Sequence, residues 1–134
     1  MSILHPLIIM VVLTFLVAIR LGYFAINSVL KGKVHIKQLR VYDGELPIDY
    51  KSARQHYKNM FEIPILFYLL CTLLLINNNC TQLDVMLAWG FVIFRLLHSL
   101  IRIQNRDVNM RFGAFTGSFI MLVFGWSNFF LKYI

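Results

Sequence analysis

Apolar residues fall into four long runs along the chain, and short polar stretches separate them. The runs cover residues 6–26, 60–76, 85–101 and 112–131. About 20 helical residues cross a hydrocarbon core of about 30 Å, so each run can span a membrane once the second is extended backwards from Met60. The pattern predicts one domain over residues 1–134, with helices at about 5–30, 52–76, 83–103 and 110–132.

Local sequence signals support these boundaries. Pro6 suits the first turn of a helix, and Ser52 with Gln55 three residues later has the pattern of a capping box. Pro64 lacks a backbone donor and is expected to bend the second helix. Residues 31–51 form the one sizeable polar segment and are expected to be a loop.

Composition and charge indicate the class and the orientation. The chain is 59% hydrophobic and only 14% charged, which predicts an all-α, integral membrane four-helix bundle rather than a soluble domain. Lys and Arg residues are concentrated in 31–51, whereas 77–84 has none, so both termini are expected outside the cytoplasm. A basic cytoplasmic rim facing anionic headgroups accounts for the net charge of +7, and no nucleic acid is needed as a partner.

Polar side chains inside the predicted spans are the candidate functional residues. Glu62 is the acidic one, and a carboxylate within a bilayer needs a partner, a ligand or an ion path. With the predicted topology, the basic residues of the four helices converge in the cytoplasmic leaflet. They are Arg20, Arg54, Lys58, Arg95, His98, Arg102 and Arg111. So many cations around one carboxylate suit an anionic ligand.

A purely structural interpretation of the same residues also stays open. Glu62 and Arg95 can form a buried ion pair that fixes helix registry, while the other arginines extend to the headgroups. Of the four histidines only His98 falls clearly in a helix core, and their spacing suits no metal site. Cys71 and Cys80 lie at different depths and are interpreted as structural thiols.

The chain resembles the membrane-associated proteins in eicosanoid and glutathione metabolism (MAPEG). The resemblance covers the whole chain and depends on three features in the expected order: Asn59-x-x-Glu62 shortly before Pro64, Arg95-x-x-His98, and Arg111 opening the fourth helix. The sequence from Glu62 to Tyr68 is most similar to the uncharacterised bacterial branch. The resemblance implies a homotrimer in a bacterial inner membrane, with glutathione bound as co-substrate near the cytoplasmic side between subunits.

The resemblance also implies roles for particular residues. Arg54, Asn59 and Glu62 would hold the tripeptide, and Arg111 would stabilise its thiolate. Arg95, His98 and Arg102 complete the expected binding set. The implied activity is that of a microsomal-type glutathione S-transferase or peroxidase, in which the thiolate attacks a lipophilic small molecule arriving from the bilayer.

The chain departs from the family pattern at four positions. Gln55 stands four residues before Asn59, where the pattern has arginine, and Arg102 stands where a tyrosine is frequent. Phe112 and Phe115 replace a serine and a tyrosine, so two hydroxyl groups are missing. These departures keep two alternatives open: a non-catalytic protein of the same fold that binds a lipid or another anionic amphiphile, and a small four-span transporter.

Overall fold

The structure is a computed structural model that describes residues 2–41, 44–104 and 107–133. Every regular element in these ranges is a helix. The helices are α1 (Leu4–Leu30), α2 (Ile36–Val41), α3 (Ile48–Glu62), α4 (Pro64–Ile76), α5 (Gln82–Gln104) and α6 (Val108–Leu131). Four stretches are long and apolar enough to cross a membrane, namely α1, α3 continued by α4, α5 and α6. The predicted all-α, four-helix membrane bundle is confirmed.

Proline positions explain how the second span is built. Pro64 is the first residue of α4 and interrupts the span directly after Ile63, as predicted. The predicted capping box is wrong, because α3 begins four residues earlier, at Ile48, and has no side-chain cap. Pro47 precedes it with an extended backbone, and Asp49 in the first turn favours a helix N-terminus electrostatically. Segment 31–51 therefore contains α2 and the start of α3 rather than only loop.

The core lies between the four spans and is mainly aromatic and aliphatic. Phe67 of α4 stacks on Phe91 of α5 with 4.4 Å between ring centroids. Helices α5 and α6 approach closely where Gly117 faces the ring of Phe94. A second small cluster of Val34, Leu46 and Tyr50 packs the segment before α3 against α1. These contacts fix the rotation of α5, the helix that carries most of the candidate polar residues.

The two ends of the bundle differ in chemistry. One end holds both termini and residues 77–81. There the buried Asp84 accepts hydrogen bonds from Thr81 N, Thr81 Oγ1 and Asn128 Nδ2, each at 2.7 Å, and forms an ion pair with Lys132. The opposite end, called the basic end below, contains Lys31, Lys33, Lys37 and Arg40. The candidate site lies towards the basic end.

Candidate functional site: an arginine-rich cleft

A cleft of about 260 Å³ opens between α3, α5 and α6 towards the basic end. We call it the arginine cleft. It is lined by Gln55, Asn59, His98, Arg102, Val108, Arg111, Phe112 and Phe115. The structure thus brings four of the predicted site residues together, and none of these lining residues carries a carboxylate.

Helical spacing and one cap explain how the lining side chains meet. His98 and Arg102 are four residues apart on α5, so they lie on one face. Asp107 caps α6 by accepting hydrogen bonds from the backbone amides of Asn109 and Met110 at 2.9 and 3.1 Å. The helix begins at Val108, three residues before Arg111, so this arginine lies in the first turn of α6 and reaches the cleft beside the α5 face.

Helix α3 contributes an amide pair to the cleft. Gln55 Nε2 donates to Asn59 Oδ1 at 3.2 Å, one helical turn away. Gln55 thus occupies a lining position that the resemblance assigns to an arginine. It was not among the predicted site residues, although its four-residue spacing from Asn59 could have indicated it.

Arg95 lies behind the cleft and is fully buried, with 0% of its surface exposed. Its guanidinium carbon lies 5.3 Å from the ring centroids of both Phe91 and Phe115, so the cation is held between two aromatic faces. None of its three guanidinium nitrogens has a hydrogen-bond partner among the described residues. The predicted ion pair between Arg95 and Glu62 is therefore wrong within the chain.

Glu62 faces outwards instead. Its side chain is 52% exposed, and its carboxylate lies 3.9 Å from the ammonium of Lys58, one turn earlier on α3. With Arg54, Tyr57 and Phe61, these residues line a separate groove on the outer side of α3. The polar residues of α3 thus lie on two faces of the helix. One face lines the arginine cleft, and the other lines the groove that contains Glu62.

Arg54 is separated from the cleft by helix phase. It precedes Asn59 by five residues, which places the two side chains about 140° apart around a helix of 3.6 residues per turn. Arg54 lines two other clefts. One contains Lys51, Gln55 and Lys58, and the other is the outer groove with Glu62. Neither Arg54 nor Glu62 lines the arginine cleft in this chain.

Two further side chains of α5 contribute nitrogen atoms without partners. His98 is only 2% exposed, and its Nδ1 makes no hydrogen bond to the described residues; the same holds for the buried Nε of Arg102. A buried polar group without a partner costs about 1–3 kcal/mol, and more when it is charged. Together with Arg95, these residues form a wall of buried nitrogens on α5, in which Arg95 and Arg102 carry the positive charge that a bound anion would neutralise.

A buried chain of polar contacts, which the sequence analysis missed, supports this wall. Arg20 Nη1 donates to His56 Nδ1 at 3.4 Å, so the ring proton of His56 lies on Nε2, which donates to Ser99 Oγ at 3.0 Å. The chain links α1, α3 and α5 directly beside His98. His56 is fully buried, contrary to the expectation that only His98 lies in a core. Its spacings of three and four residues from the buried Ala53 and Met60 place it on the buried face of α3 and could have indicated this.

Comparison with known proteins gives one family. The model of the MAPEG family matches residues 3–130 of the 134-residue chain. No curated protein and no solved structure matches the chain. Within the described ranges, no group of three or more His, Cys, Asp or Glu side chains is arranged to hold a metal ion.

Proposed function

The chain belongs to the MAPEG family, and from this membership we propose that it binds glutathione in the arginine cleft and ionises the thiol beside Arg111. The family and the four spans make it an integral, multi-pass membrane protein of the glutathione and eicosanoid metabolism type. Our proposal goes further and names the ligand as glutathione, its site as the arginine cleft and the chemical step as ionisation of the thiol.

One observation carries the proposal: among the described residues, buried guanidinium and imidazole nitrogens at and behind the cleft have no hydrogen-bond partner. Arg95, His98 and Arg102 have buried nitrogens that lack partners among the described residues, and Arg111 adds a further cation. Glutathione supplies two carboxylates, a thiolate and several amides, which match guanidinium, imidazole and the Gln55–Asn59 pair. Binding of an anionic tripeptide would therefore offset the electrostatic cost of burying these nitrogens.

Arg111 has the position for the chemical step. It lines the cleft on α6, opposite the α5 wall. A guanidinium beside the sulfur stabilises the charged form, so it lowers the thiol pKa of bound glutathione and raises the fraction of thiolate at neutral pH. The thiolate can then attack an electrophilic carbon and displace its leaving group, as in a transferase. As in a peroxidase, it can instead attack a peroxide oxygen, which breaks the O–O bond and releases an alcohol; a second glutathione then reduces the sulfenic acid and gives glutathione disulfide and water. The electrophile enters from the bilayer.

The assembly and the membrane orientation are part of the same proposal. A homotrimer would cover the outer groove of α3, where Arg54, Lys58 and Glu62 form a polar surface on a membrane-spanning helix. The basic end would face the cytoplasm of a bacterial inner membrane, with both termini outside. Glutathione would then reach the cleft from the cytoplasm.

The test is a titration of the detergent-purified protein with reduced glutathione, following heat and ultraviolet thiolate absorbance together. We expect binding with a thiolate signal, and loss of that signal in Arg111→Ala. Arg40→Ala is the matched control, because Arg40 is an exposed arginine of α2 outside the cleft. An unchanged thiolate signal in Arg111→Ala would refute the mechanism.

A specific feature favours a second candidate, a lipid or another anionic amphiphile. Phe112 is 69% exposed at the cleft, and Phe115 lines it, so apolar rings stand where the family pattern has hydroxyl groups. An acyl chain can pack on these rings while its acidic headgroup binds the arginines. Absence of glutathione binding at millimolar concentration, with an anionic lipid in the purified protein, would favour this candidate.

A further inference from the structure

Phe115 separates the arginine cleft from the buried Arg95. Its half-buried ring lines the cleft on one side, while its centroid lies 5.3 Å from the Arg95 guanidinium carbon on the other. The ring also packs at 6.1 Å from the His98 ring. Arg95 itself does not line the cleft, so Phe115 is a residue that contacts both the cleft and this buried cation.

The number of cations suggests why this cover matters. The thiolate form of glutathione carries three anionic groups, and two arginines, Arg102 and Arg111, line the cleft. The proposed mechanism uses Arg111 for the sulfur, so only Arg102 remains for two carboxylates. Arg95 is a further cation in contact with the lining residue Phe115, and its three nitrogens lack acceptors among the described residues. It is fully buried, however, for as long as Phe115 keeps this position.

We infer that Phe115 is a gate that turns aside when a ligand binds, so that one carboxylate of the ligand reaches Arg95. The movement needs only a change of side-chain rotamer, since phenylalanine on a helix has two favourable χ1 values. Opening exchanges a cation–π contact for a charge-assisted hydrogen bond, which is the stronger interaction. Phe115 thus determines specificity: a ligand with one anionic group binds without opening the gate, whereas glutathione opens it. The inference rests on the proposed function.

The first test is a double-mutant cycle on glutathione affinity. Phe115→Leu keeps an apolar side chain but removes the ring that covers Arg95, so opening becomes easier, and we expect about two- to fivefold tighter binding. In the Arg95→Gln background the same substitution should change nothing, because no cation lies behind the gate. Phe119→Leu is the matched control, because Phe119 is an exposed residue of α6 that does not line the cleft, and it should have no effect in either background. Equal effects of Phe115→Leu in both backgrounds, or weaker binding in the parent, would overturn the gate.

The second test needs no glutathione and so separates the gate from the proposed function. Phenylglyoxal modifies accessible arginines, and mass spectrometry locates the modified residue. Arg95 should react slowly in the parent protein, faster in Phe115→Leu, and at the parent rate in the control variant Phe119→Leu. Equal rates at Arg95 in the two variants would overturn the gate even if glutathione binds. A Phe115-dependent rate without glutathione binding would refute the proposed ligand and leave the gate in place.

Discussion

Gln55 affects the charge of the site because it is an uncharged residue at a position that lines the arginine cleft. It lies four residues before Asn59, where the family pattern has arginine, and it donates its amide hydrogen to Asn59. The cations that line the cleft therefore come from α5 and α6, as Arg102 and Arg111. The positive charge at the cleft is thus carried by α5 and α6, while α3 contributes the uncharged amides of Gln55 and Asn59.

Restoring the arginine gives a direct prediction at this scale. Gln55→Arg should tighten glutathione binding about tenfold, because a charge-assisted hydrogen bond replaces a neutral one. Gln104→Arg is the control, since Gln104 is an exposed residue of α5 near the same end and adds the same charge outside the cleft. Calorimetric titration measures both. An equal gain in the two variants would show a long-range effect of charge instead of a contact.

At the scale of elements, the close packing of α5 on α6 holds the cleft together. A Cβ on Gly117 would lie 2.6 Å from a ring carbon of Phe94, closer than real Cβ atoms come to a neighbour. A Cβ on Gly113, one turn earlier on α6, would meet no atom within 4 Å beyond its neighbours in the chain and the backbone of its own helix. The same helix therefore contains one glycine that packing requires and one that it does not.

We predict opposite outcomes for these two glycines. Gly117→Ala should lower the free energy of unfolding by about 1–3 kcal/mol, because it overpacks the α5–α6 contact. Gly113→Ala should leave stability unchanged or raise it by up to about 1 kcal/mol, because alanine is the better helix former. Thermal unfolding in detergent measures both. Similar destabilisation by the two substitutions would contradict the close packing.

The buried carboxylate at the other end of α5 ties three elements together. Asp84 binds Thr81 in the α4–α5 connection and both Asn128 and Lys132 at the end of α6. Asp84→Ala should cost about 1–3 kcal/mol of unfolding free energy, because it leaves these donors without an acceptor. Asp84→Asn should cost less, since it keeps an acceptor oxygen.

Glu45→Ala is the matched control for Asp84, because Glu45 is an exposed acid at the opposite end. Thermal unfolding and proteolysis of residues 77–81 are the measurements. Cleavage in this connection should become faster in Asp84→Ala alone. Equal stability of Asp84→Ala and Glu45→Ala would show that the ion pair does not hold the ends together.

At the scale of the whole molecule, the natural cysteines can report the orientation. Cys80 is exposed in the connection between α4 and α5, at the end that holds both termini, whereas Cys71 is buried in α4. A membrane-impermeant maleimide added to intact cells should therefore label Cys80 and leave Cys71 unlabelled. Cys80→Ser should abolish labelling, and Lys37→Cys in that background should be labelled only after the membrane is opened.

The labelling should also depend on pH. Loss of solvation around the sulfur raises the pKa of the Cys80 thiol above its ordinary value. The thiolate is the reacting form, so the rate should increase with pH through and above the ordinary thiol range. Labelling of Lys37→Cys but not of Cys80 in intact cells would show the opposite orientation.

The fold and part of the site could be predicted because they depend on short-range pattern. The four spans and the break at Pro64 follow from run length and proline geometry, and the shared face of His98 and Arg102 follows from helix periodicity. The absence of an ion pair between Arg95 and Glu62 could not be predicted from the sequence. Both residues lie at the expected depth, but Glu62 turns towards Lys58 while two phenylalanine rings enclose Arg95.

The sequence by itself determined the number of spans, the basic end and the family, because hydrophobicity, charge and local motifs act along the chain. Only the tertiary structure decided which polar side chains meet. His56 with Ser99 and Asp84 with Lys132 are pairs separated by 43 and 48 residues. Their contacts depend on how each helix is rotated about its axis, and packing between bulky side chains and small residues such as Gly117 fixes that rotation.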